Sequence, residues 1–482
     1  MAEAVMTESA GHGSPDFRAV WRALDALRAT ATPELAYQFA LQVAFLRVWP
    51  ASDGRGLARC AEAGESGLNR AWAWWGLDRT FGRGEREAHQ ARRLHGAADR
   101  SLAKLITEVA RLDQPAGLFD ACLDRYSARF GVGGDYFTPR PLARLMAGLA
   151  APRVGERVLD PTCGSGRLLI AAEQWARGQA GGGAGALKLH GREIRPEARR
   201  AAAMNLVLNG LGYDLGDRAV DSLRAGSAGM SADVVLANPP LNAKDWGHPE
   251  LSGEPRWDLG IPPKGNADFA WVQHVLSELA PQGRAVVLLP DSATRRLNTA
   301  ESWIRRRLVE RDLLAGVVAL PARLFPHTRT GTTLWLFSKD KGVNDHWGLN
   351  SRVGEVLFVD ARGLPTRTAQ EGRRLMDEGI ERICSTFAQW RGVTSARADR
   401  PVEEPGWCRS VQQDEIARHG YDLGPGSYVP MPSASGGIPL SESDGHRRKV
   451  VDALYRHLDD AESMGQQLRR VLDMELVGRK MT

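Results

Sequence analysis

A short apolar segment that ends in an aspartate and a glycine turn most constrains how this chain folds. Residues 156–166 read ERVLDPTCGSG, and the residues after them, RLLIAAE, have the composition of a helix start. A strand, a glycine turn and a helix in this order build a nucleotide site at the carboxyl ends of parallel strands. The glycines let the backbone approach a ligand closely. The segment therefore predicts a ligand site beside Asp160.

Acidic residues end two further predicted strands. Glu193 ends the segment 187–193, and Asp221 lies near the end of the segment 218–223. An acid at the end of the second strand is placed to accept hydrogen bonds from ribose hydroxyls. Together with the glycine turn, the two acids indicate an adenosine-type cofactor.

The residues after the glycine turn argue against two other nucleotide sites. A nicotinamide dinucleotide fingerprint needs a third glycine at position 169, which is leucine here. A P-loop needs a lysine after its last glycine, and Arg167 follows Gly166 instead. A cofactor without phosphates needs fewer glycines.

An asparagine and two prolines follow the most apolar predicted strand, residues 232–237. Residues 238–241 read NPPL. Two prolines fix the backbone and remove two donors, which leaves carbonyl groups beside the Asn238 amide oxygen. Such a cluster can accept hydrogen bonds from an amino group on an aromatic base. The lone pair of that nitrogen is then less delocalised into the ring. That nitrogen could then attack a methyl group on a sulfonium, chiefly through positioning and electrostatics.

A turn-rich segment, GVGGDYFTPR, occupies residues 131–140. Thr138 can cap a helix and Pro139 fits a first turn, so we expect a helix over residues 141–149. Taken alone, YFTP indicates only a capped helix with two packed aromatic residues.

Apolar segments alternate with helical segments through the centre of the chain. Further strands are predicted at residues 283–289, 313–320 and 332–337, the last of them ending the sheet. Alternation of this kind predicts an α/β fold with a mostly parallel sheet that helices cover on both faces.

Composition divides the chain into five parts. We expect a disordered lead-in, a helical N-terminal domain, a central α/β domain, an extended arm rich in Pro, Gly and Ser, and a terminal helix. Their predicted bounds are 1–16, 17–130, 131–395, 396–445 and 446–482. The apolar residues of the terminal helix have a heptad-like spacing, which suits packing on a partner and on the chain's own N-terminal helices about equally.

Cysteine usage and hydropathy predict a cytoplasmic protein. The five cysteines are scattered and form no Cys-x-x-Cys pair, so neither a disulfide framework nor a zinc site is expected. No apolar run approaches the ~18 residues that a membrane span needs. The net charge of +5 is only weak evidence for a nucleic-acid partner.

Three segments in a fixed order, YFTP at 136–139, DPTCGSG at 160–166 and NPPL at 238–241, resemble the adenine-N6 DNA methyltransferases. Over nearly its whole length, the chain resembles more closely the modification (M) subunit of type I restriction–modification systems. The resemblance implies a class I S-adenosylmethionine-dependent methyltransferase fold, Rossmann-like with a mostly parallel seven-stranded sheet. It also implies site-specific methylation of DNA adenine at N6, with S-adenosyl-L-methionine as the methyl donor.

The resemblance also implies roles for the residues at the matching positions. Asn238 and the Pro239 carbonyl would engage the target amino group, Glu193 would bind ribose, and Asp221 would lie near the cofactor's adenine. The implied catalytic residues are Asn238, Pro239, Pro240 and Leu241. The implied cofactor-binding residues are Tyr136, Phe137, Thr138, Pro139, Asp160, Thr162, Gly164, Ser165, Gly166, Glu193, Asp221 and Asn238.

Leu241 departs from the family pattern, which usually has an aromatic residue after the two prolines to stack on the flipped base. An aliphatic side chain can still pack on a base, but it loses part of a stacking term on the order of 1–3 kcal/mol. Trp246 and Phe269 are candidates to stack instead. Arg167 also stands where the family commonly has a small residue.

The residues between Leu241 and Asp268 are too few to read a DNA site. The resemblance therefore implies double-stranded DNA, a separate specificity subunit and a second modification subunit as partners, with a restriction subunit as a further member of such systems.

Two other functions stay open at this point. One is a catalytically silent scaffold of a defence complex that binds S-adenosylmethionine or DNA, which Leu241 motivates. The other is methylation of RNA or of a protein side chain, because Asn-Pro-Pro clusters also serve other amino groups. The match of the C-terminal part argues against the latter.

Overall fold

The computed structural model describes residues 17–48, 55–61, 64–74, 96–115, 117–130, 138–180, 186–226, 229–325, 331–369, 372–393 and 403–429. Tyr136, Phe137, the predicted lead-in and the predicted terminal helix lie outside these ranges. None of the described helices is both long and apolar enough to cross a bilayer.

Helices dominate the described part of the first 150 residues and then alternate with strands. The helices are α1 Arg18–Arg28, α2 Pro33–Val48, α3 Arg55–Ala61, α4 Gly64–Trp74, α5 Ala97–Ala110, α6 Leu118–Phe130, α7 Arg140–Ala150, α8 Arg167–Gln179, α9 Pro196–Leu208, α10 His248–Leu251, α11 Asp268–Glu278, α12 Thr299–Glu310, α13 Asp377–Arg391 and α14 Gln413–Arg418. The strands are β1 Arg157–Asp160, β2 Lys188–Gly191, β3 Tyr213–Asp214, β4 Ala232–Ala237, β5 Leu279–Pro290, β6 Leu314–Ala319, β7 Thr332–Ser338, β8 Glu355–Asp360, β9 Thr366–Ala369, β10 Gly372–Leu375 and β11 Cys408–Gln412.

The main sheet has the strand order β11-β8-β6-β7-β5-β4-β1-β2-β3. Its first seven strands along the chain are contiguous in the order 3-2-1-4-5-7-6, and β7 alone among them runs antiparallel to its neighbours. This contiguous set is the mostly parallel seven-stranded sheet expected from the sequence. β8 and β11 extend it beyond β6, so the sheet has nine strands and the prediction that β7 is its last strand is wrong.

Helices cover both faces of this sheet because alternate residues of each strand point to opposite sides. On β5, Val286 and Leu288 join one hydrophobic cluster, whereas Val287 and Leu289 join another. Burial on both faces explains why the central strands read as continuous apolar runs rather than alternating ones.

The N-terminal helices pack against the helical layer that covers the first face of the sheet. Their buried residues, such as Leu24 and Phe45, belong to the same cluster as Val286, and α2 contacts α9. Arg167, at the start of α8, is 7% exposed and pairs with the carboxylate of Asp124 on α6. The unusual arginine after the glycine turn thus joins α6 of the N-terminal part to the start of α8.

The part of the predicted arm that the structure describes differs from an extended segment. Residues 403–429 contain β11, α14 and a short 3-10 helix. Val411, Ile416 and Tyr428 are buried in the cluster on the second face of the sheet, and the Tyr428 ring stacks on Phe358 at 4.2 Å. The high content of glycine and proline hid a strand and a helix that complete the core.

Candidate functional site

The parallel pairing of β2, β1 and β4 brings the ends of these strands together. Asp160, the last residue of β1, is in register with Gly191, the last residue of β2. β4 lies on the other side of β1 and ends directly before Asn238. Three of the sequence-predicted features therefore share one edge of the sheet, as expected for strands that run in the same direction.

The glycine turn is held by backbone hydrogen bonds and by Glu193. The Gly164 N–H donates to Glu193 Oε2 at 2.9 Å, and the Asn205 side chain donates to the Ser165 carbonyl at 2.9 Å. Gly166 has a φ of 78°, and a Cβ there would lie 3.5 Å from the Ala202 backbone. Both its left-handed backbone and the close approach of α9 favour glycine at this position.

Asp160 is almost completely buried at the base of the turn. Its carboxylate accepts a hydrogen bond of 2.9 Å from the Thr162 backbone. Burial raises the pKa of Asp160 to about 8, and the neighbouring charge of Glu193 adds to the rise, whereas the Thr162 bond opposes it. A positively charged ligand nearby would therefore favour the ionised form of this carboxyl group.

Glu193 and Asp221 lie on connected loops. Glu193, two residues beyond the end of β2, accepts a 3.0 Å hydrogen bond from the Arg195 N–H, and its own carbonyl accepts one of 2.8 Å from Val220. That second bond brings Asp221 next to Glu193. The strand predicted over residues 218–223 is wrong, since these residues form a loop and the third strand is the two-residue β3.

Asn238 is linked to the segment before α7. Its amide nitrogen donates to the Thr138 hydroxyl at 3.0 Å, and both side chains are buried. The prediction that Thr138 caps the following helix is wrong, because the N-cap is Pro139 and no side chain caps it. The hydroxyl orients the Asn238 amide instead.

The residues after Asn238 leave the sheet in a tightly fixed loop. Pro239 is buried, whereas Pro240 and Leu241 are half-buried. Asn242 has a φ of 53°, and its N–H donates to the buried carboxylate of Asp268 at 2.9 Å.

Arg296 completes the support of this loop. Its guanidinium donates to Asp268 Oδ2 at 2.9 Å, to Glu301 at 3.2 Å and to the side-chain oxygen of Asn242. The loop after the two prolines is therefore fixed to the first turn of α11 and to α12. Sequence reasoning missed Arg296 and Asp268, since no local pattern connects residues 242, 268 and 296.

Six predicted site residues line one cavity of about 290 Å³ at this edge of the sheet. They are Thr162, Gly164, Glu193, Asp221, Asn238 and Pro240. Leu241 is not among the lining residues.

Sequence reasoning missed several other residues of the wall, among them Ile194, Arg195, Lys244 and Trp271. For Ile194, its position directly after Glu193 is a sequence signal that could have predicted a place in the cavity wall. Trp246 also lines the cavity, with its indole N–H bonded to the Pro263 carbonyl at 3.1 Å. Phe269, the other aromatic candidate, is fully buried in the core against Trp335, so its proposed stacking role is wrong.

The chemistry of the wall suits a ligand with a hydroxylated part, a flat apolar part and a positive charge. Glu193 and Asp221 supply carboxylates, and Ile194, Leu223 and Trp271 supply apolar surface. Within the described residues, the buried Trp271 indole N–H has no hydrogen-bond partner, which leaves a donor for a ligand.

Comparison with known sequences gives one family and several relatives. The family model described as N-6 DNA Methylase matches residues 115–435. The type I restriction enzyme HindI methylase subunit of Haemophilus influenzae is 31% identical over 328 residues, which are 67% of this chain and 70% of that protein. The MjaIX methylase subunit of Methanocaldococcus jannaschii is 30% identical over 349 residues, 71% of this chain and 59% of that protein.

Solved structures share the fold. The methyltransferase subunit of a type I restriction-modification system from Streptococcus thermophilus superposes with a TM-score of 0.65 at 21% identity, covering 86% of this chain and 98% of that one. A chain from a structure on complex assembly and conformational transition of the type I restriction–modification system gives a TM-score of 0.61 at 20% identity, covering 95% and 98%.

Proposed function

Because the chain belongs to the N-6 DNA Methylase family, we propose that it is the modification subunit of a type I restriction–modification system. In this role it transfers a methyl group from S-adenosyl-L-methionine to N6 of an adenine in double-stranded DNA. The observation that carries the proposal is the single cavity that Thr162, Gly164, Glu193, Asp221 and Asn238 line together.

The residues around the cavity fit S-adenosylmethionine. Glu193 would accept the ribose hydroxyls, Asp221 and the Trp271 indole N–H would face the adenine, and the turn at Gly164 would hold the methionine part. When bound, the cofactor supplies a methyl group on a positively charged sulfur. The Asp160 carboxyl, beneath the turn, would stabilise that charge in its ionised form.

Asn238 and the Pro239 carbonyl would receive the target amino group. Both oxygens accept hydrogen bonds, and the nitrogen of an adenine amino group is a poor nucleophile while its lone pair is delocalised. When these two oxygens accept the hydrogens of the amino group, the lone pair of its nitrogen is localised and directed toward the cavity. The effect comes from the fixed dipoles of the two oxygens and needs no strong base. The Thr138 bond keeps the Asn238 amide in the orientation that this role needs.

Partners complete the enzyme in this proposal. The segment between Leu241 and Asp268 has too few residues to form a module that reads bases, and the Asn242 N–H holds its start against Asp268. We therefore assign target recognition to a separate specificity subunit and expect a second modification subunit in the complex. The DNA base would enter at the carboxyl edge of the sheet and be flipped out of the duplex.

The test is a methyl-transfer assay on the complex assembled from this chain and its neighbouring subunits. Tritiated S-adenosylmethionine and host DNA are incubated with the wild type, with Asn238→Ala and with Asn209→Ala. Asn209 caps the end of α9 away from the cavity, so its variant controls for loss of an asparagine. We expect transfer to adenine N6 by the wild type and the control, and none by Asn238→Ala. Cofactor binding without transfer by the wild-type complex would instead favour the silent scaffold.

A further inference from the structure

Leu297 is the most exposed large apolar side chain among the residues that the structure describes, at 97%. It lies in the loop 295–298, between the 3-10 helix Asp291–Thr294 and α12. Its neighbours along the chain, Arg295 and Asn298, are polar and exposed as well. A single exposed leucine is ordinary on a protein surface, so its place relative to the candidate site decides whether it has a role.

The backbone on both sides of Leu297 is held by hydrogen bonds. The Arg296 N–H donates to the Ser292 carbonyl at 3.0 Å, and the Arg296 carbonyl accepts a 2.8 Å bond from the Arg305 guanidinium. The side chain of Asn298 caps α12 by accepting from two backbone N–H groups of its first turn. The leucine is therefore presented on a supported loop, so inserting it into a partner orders little additional backbone.

The same loop is bonded to the residues that follow the two prolines. The Arg296 guanidinium and the Asn242 N–H bind the two oxygens of one carboxylate, that of Asp268, at 2.9 Å each. The Arg296 guanidinium also donates to the side-chain oxygen of Asn242. Leu297 directly follows this arginine, so the loop that presents it and the loop after Asn238 form one continuous rim.

This rim lies at the carboxyl edge of the sheet, beyond the end of β4. β5 runs parallel to β4 and pairs Val287 with Ala237, the last residue of β4. β5 then continues from 287 to Pro290, three residues farther, which is roughly 10 Å at the usual rise of a strand. The chain that leads to Leu297 therefore starts farther out than Asn238, on the side from which a base would enter.

A base that enters the candidate site has to leave its stack, and it leaves a gap beside its former partner. Proteins that distort duplex DNA insert apolar side chains, leucine among them, between base steps. Leu297 is exposed and rigidly held beside the cavity, and it is not among the lining residues of the cavity itself. We propose that Leu297 acts as a wedge that inserts into the DNA duplex where the flipped adenine leaves its stack. The inference rests on the proposed function.

The experiment measures single-turnover methyl transfer by the assembled complex on two DNA duplexes with the same target adenine. One duplex has thymine opposite the adenine, and the other has an abasic site there, which removes the pairing that flipping must break. The variants are Leu297→Ala, Leu297→Met and Leu349→Ala. Leu349 is 76% exposed in the loop before the parallel strand β8, hence at the opposite edge of the sheet, and controls for loss of an exposed leucine.

We expect Leu297→Ala to slow transfer to the paired duplex roughly five- to fifty-fold, because the duplex no longer buries a leucine side chain. On the abasic duplex the same variant should stay within about three-fold of the wild type, because an unpaired adenine leaves the stack at little cost. Leu297→Met and Leu349→Ala should stay within about three-fold on both duplexes. No loss on the paired duplex, or an equal loss on the two duplexes, would overturn the inference.

A fluorescent base separates this inference from the proposed function. 2-Aminopurine is placed in turn at each adenine of the site that the complex protects from nuclease, and its fluorescence rises when the base leaves the stack, with or without methyl transfer. If the wild-type complex raises the fluorescence but methylates no DNA, the proposed function fails, and a lower signal for Leu297→Ala than for Leu349→Ala still supports the wedge. Normal methylation with equal signals for wild type and Leu297→Ala refutes only the wedge. Unchanged far-UV circular dichroism and melting temperature confirm that the variants fold.

Discussion

The amide nitrogen of Asn238 donates a 3.0 Å hydrogen bond to the hydroxyl of Thr138, 100 residues earlier in the chain. Both side chains are buried, so neither exchanges this bond freely for water. The segment before α7 and the strand end of β4 thus meet at the group that we assign to the target base.

Replacing Thr138 by valine tests this bond directly. Valine keeps the shape but removes the acceptor, and an unsatisfied buried donor costs about 1–3 kcal/mol. If this free energy is lost from the orientation of the Asn238 amide in the transition state, the methyl-transfer rate should drop roughly 5- to 150-fold. Thr138→Ser keeps the hydroxyl and should stay near the wild-type rate. A valine variant with a lower melting temperature but a normal methyl-transfer rate would show that the bond stabilises the fold and does not contribute to catalysis.

Asp160 should make stability depend on pH. Its pKa is raised from 3.8 to about 8 in the folded chain, so between these values the folded state holds a proton that the unfolded state has lost. Stability from this group is therefore highest below about pH 4 and declines as pH rises toward 8. The free energy of unfolding, measured with urea from pH 5 to 8, should decline with pH more steeply for the wild type than for Asp160→Asn. Parallel profiles would contradict the raised pKa.

Arg296 should contribute strongly to stability through Asp268. Removing it in Arg296→Ala leaves the 1% exposed Asp268 carboxylate without its cation, which costs about 3–5 kcal/mol for a buried pair. The neighbouring Arg295→Ala, at a half-exposed arginine, should cost less than about 0.5 kcal/mol. Chemical denaturation of the two variants measures the difference. Similar unfolding free energies would show that the loop after the two prolines is held by other contacts.

Leu241 offers a gain-of-function test. Leu241→Phe should strengthen packing on a flipped base by up to roughly 1–3 kcal/mol, and Leu241→Ala should weaken it. The complex is titrated with a duplex that carries 2-aminopurine at the target position, whose fluorescence rises when the base leaves the stack. We expect the fluorescence to be highest for the Phe variant, intermediate for the wild-type Leu and lowest for the Ala variant. An unchanged signal across the series would place the base away from residue 241.

The strand ends of the site could be predicted from the sequence because each carries its own local signal. β4 has the predicted bounds, residues 232–237, and β1 ends at Asp160 as expected. In both cases an apolar run stops at a polar residue followed by glycine or proline, and no distant contact is needed to recognise it.

The remaining features depend on contacts between distant residues. β3 has two residues, too few to show a periodic pattern, so the sequence indicates the nearby segment 218–223 as the third strand instead. Thr138 is a residue type that often caps helices, and only the folded chain shows that its hydroxyl accepts a hydrogen bond from Asn238 instead. β11 belongs to a segment rich in glycine and proline, and its pairing with β8 leaves no local signal.

Arg167 makes the helical N-terminal part and the cofactor-side turn depend on each other. Its positive charge, at the first residue of α8, is matched by Asp124 and by the nearby Asp120 on α6. Replacing both aspartates would leave this arginine buried without a counter-ion. Residues 120, 124 and 167 therefore act as one electrostatic unit, and a hybrid chain that exchanges the N-terminal helices must keep all three.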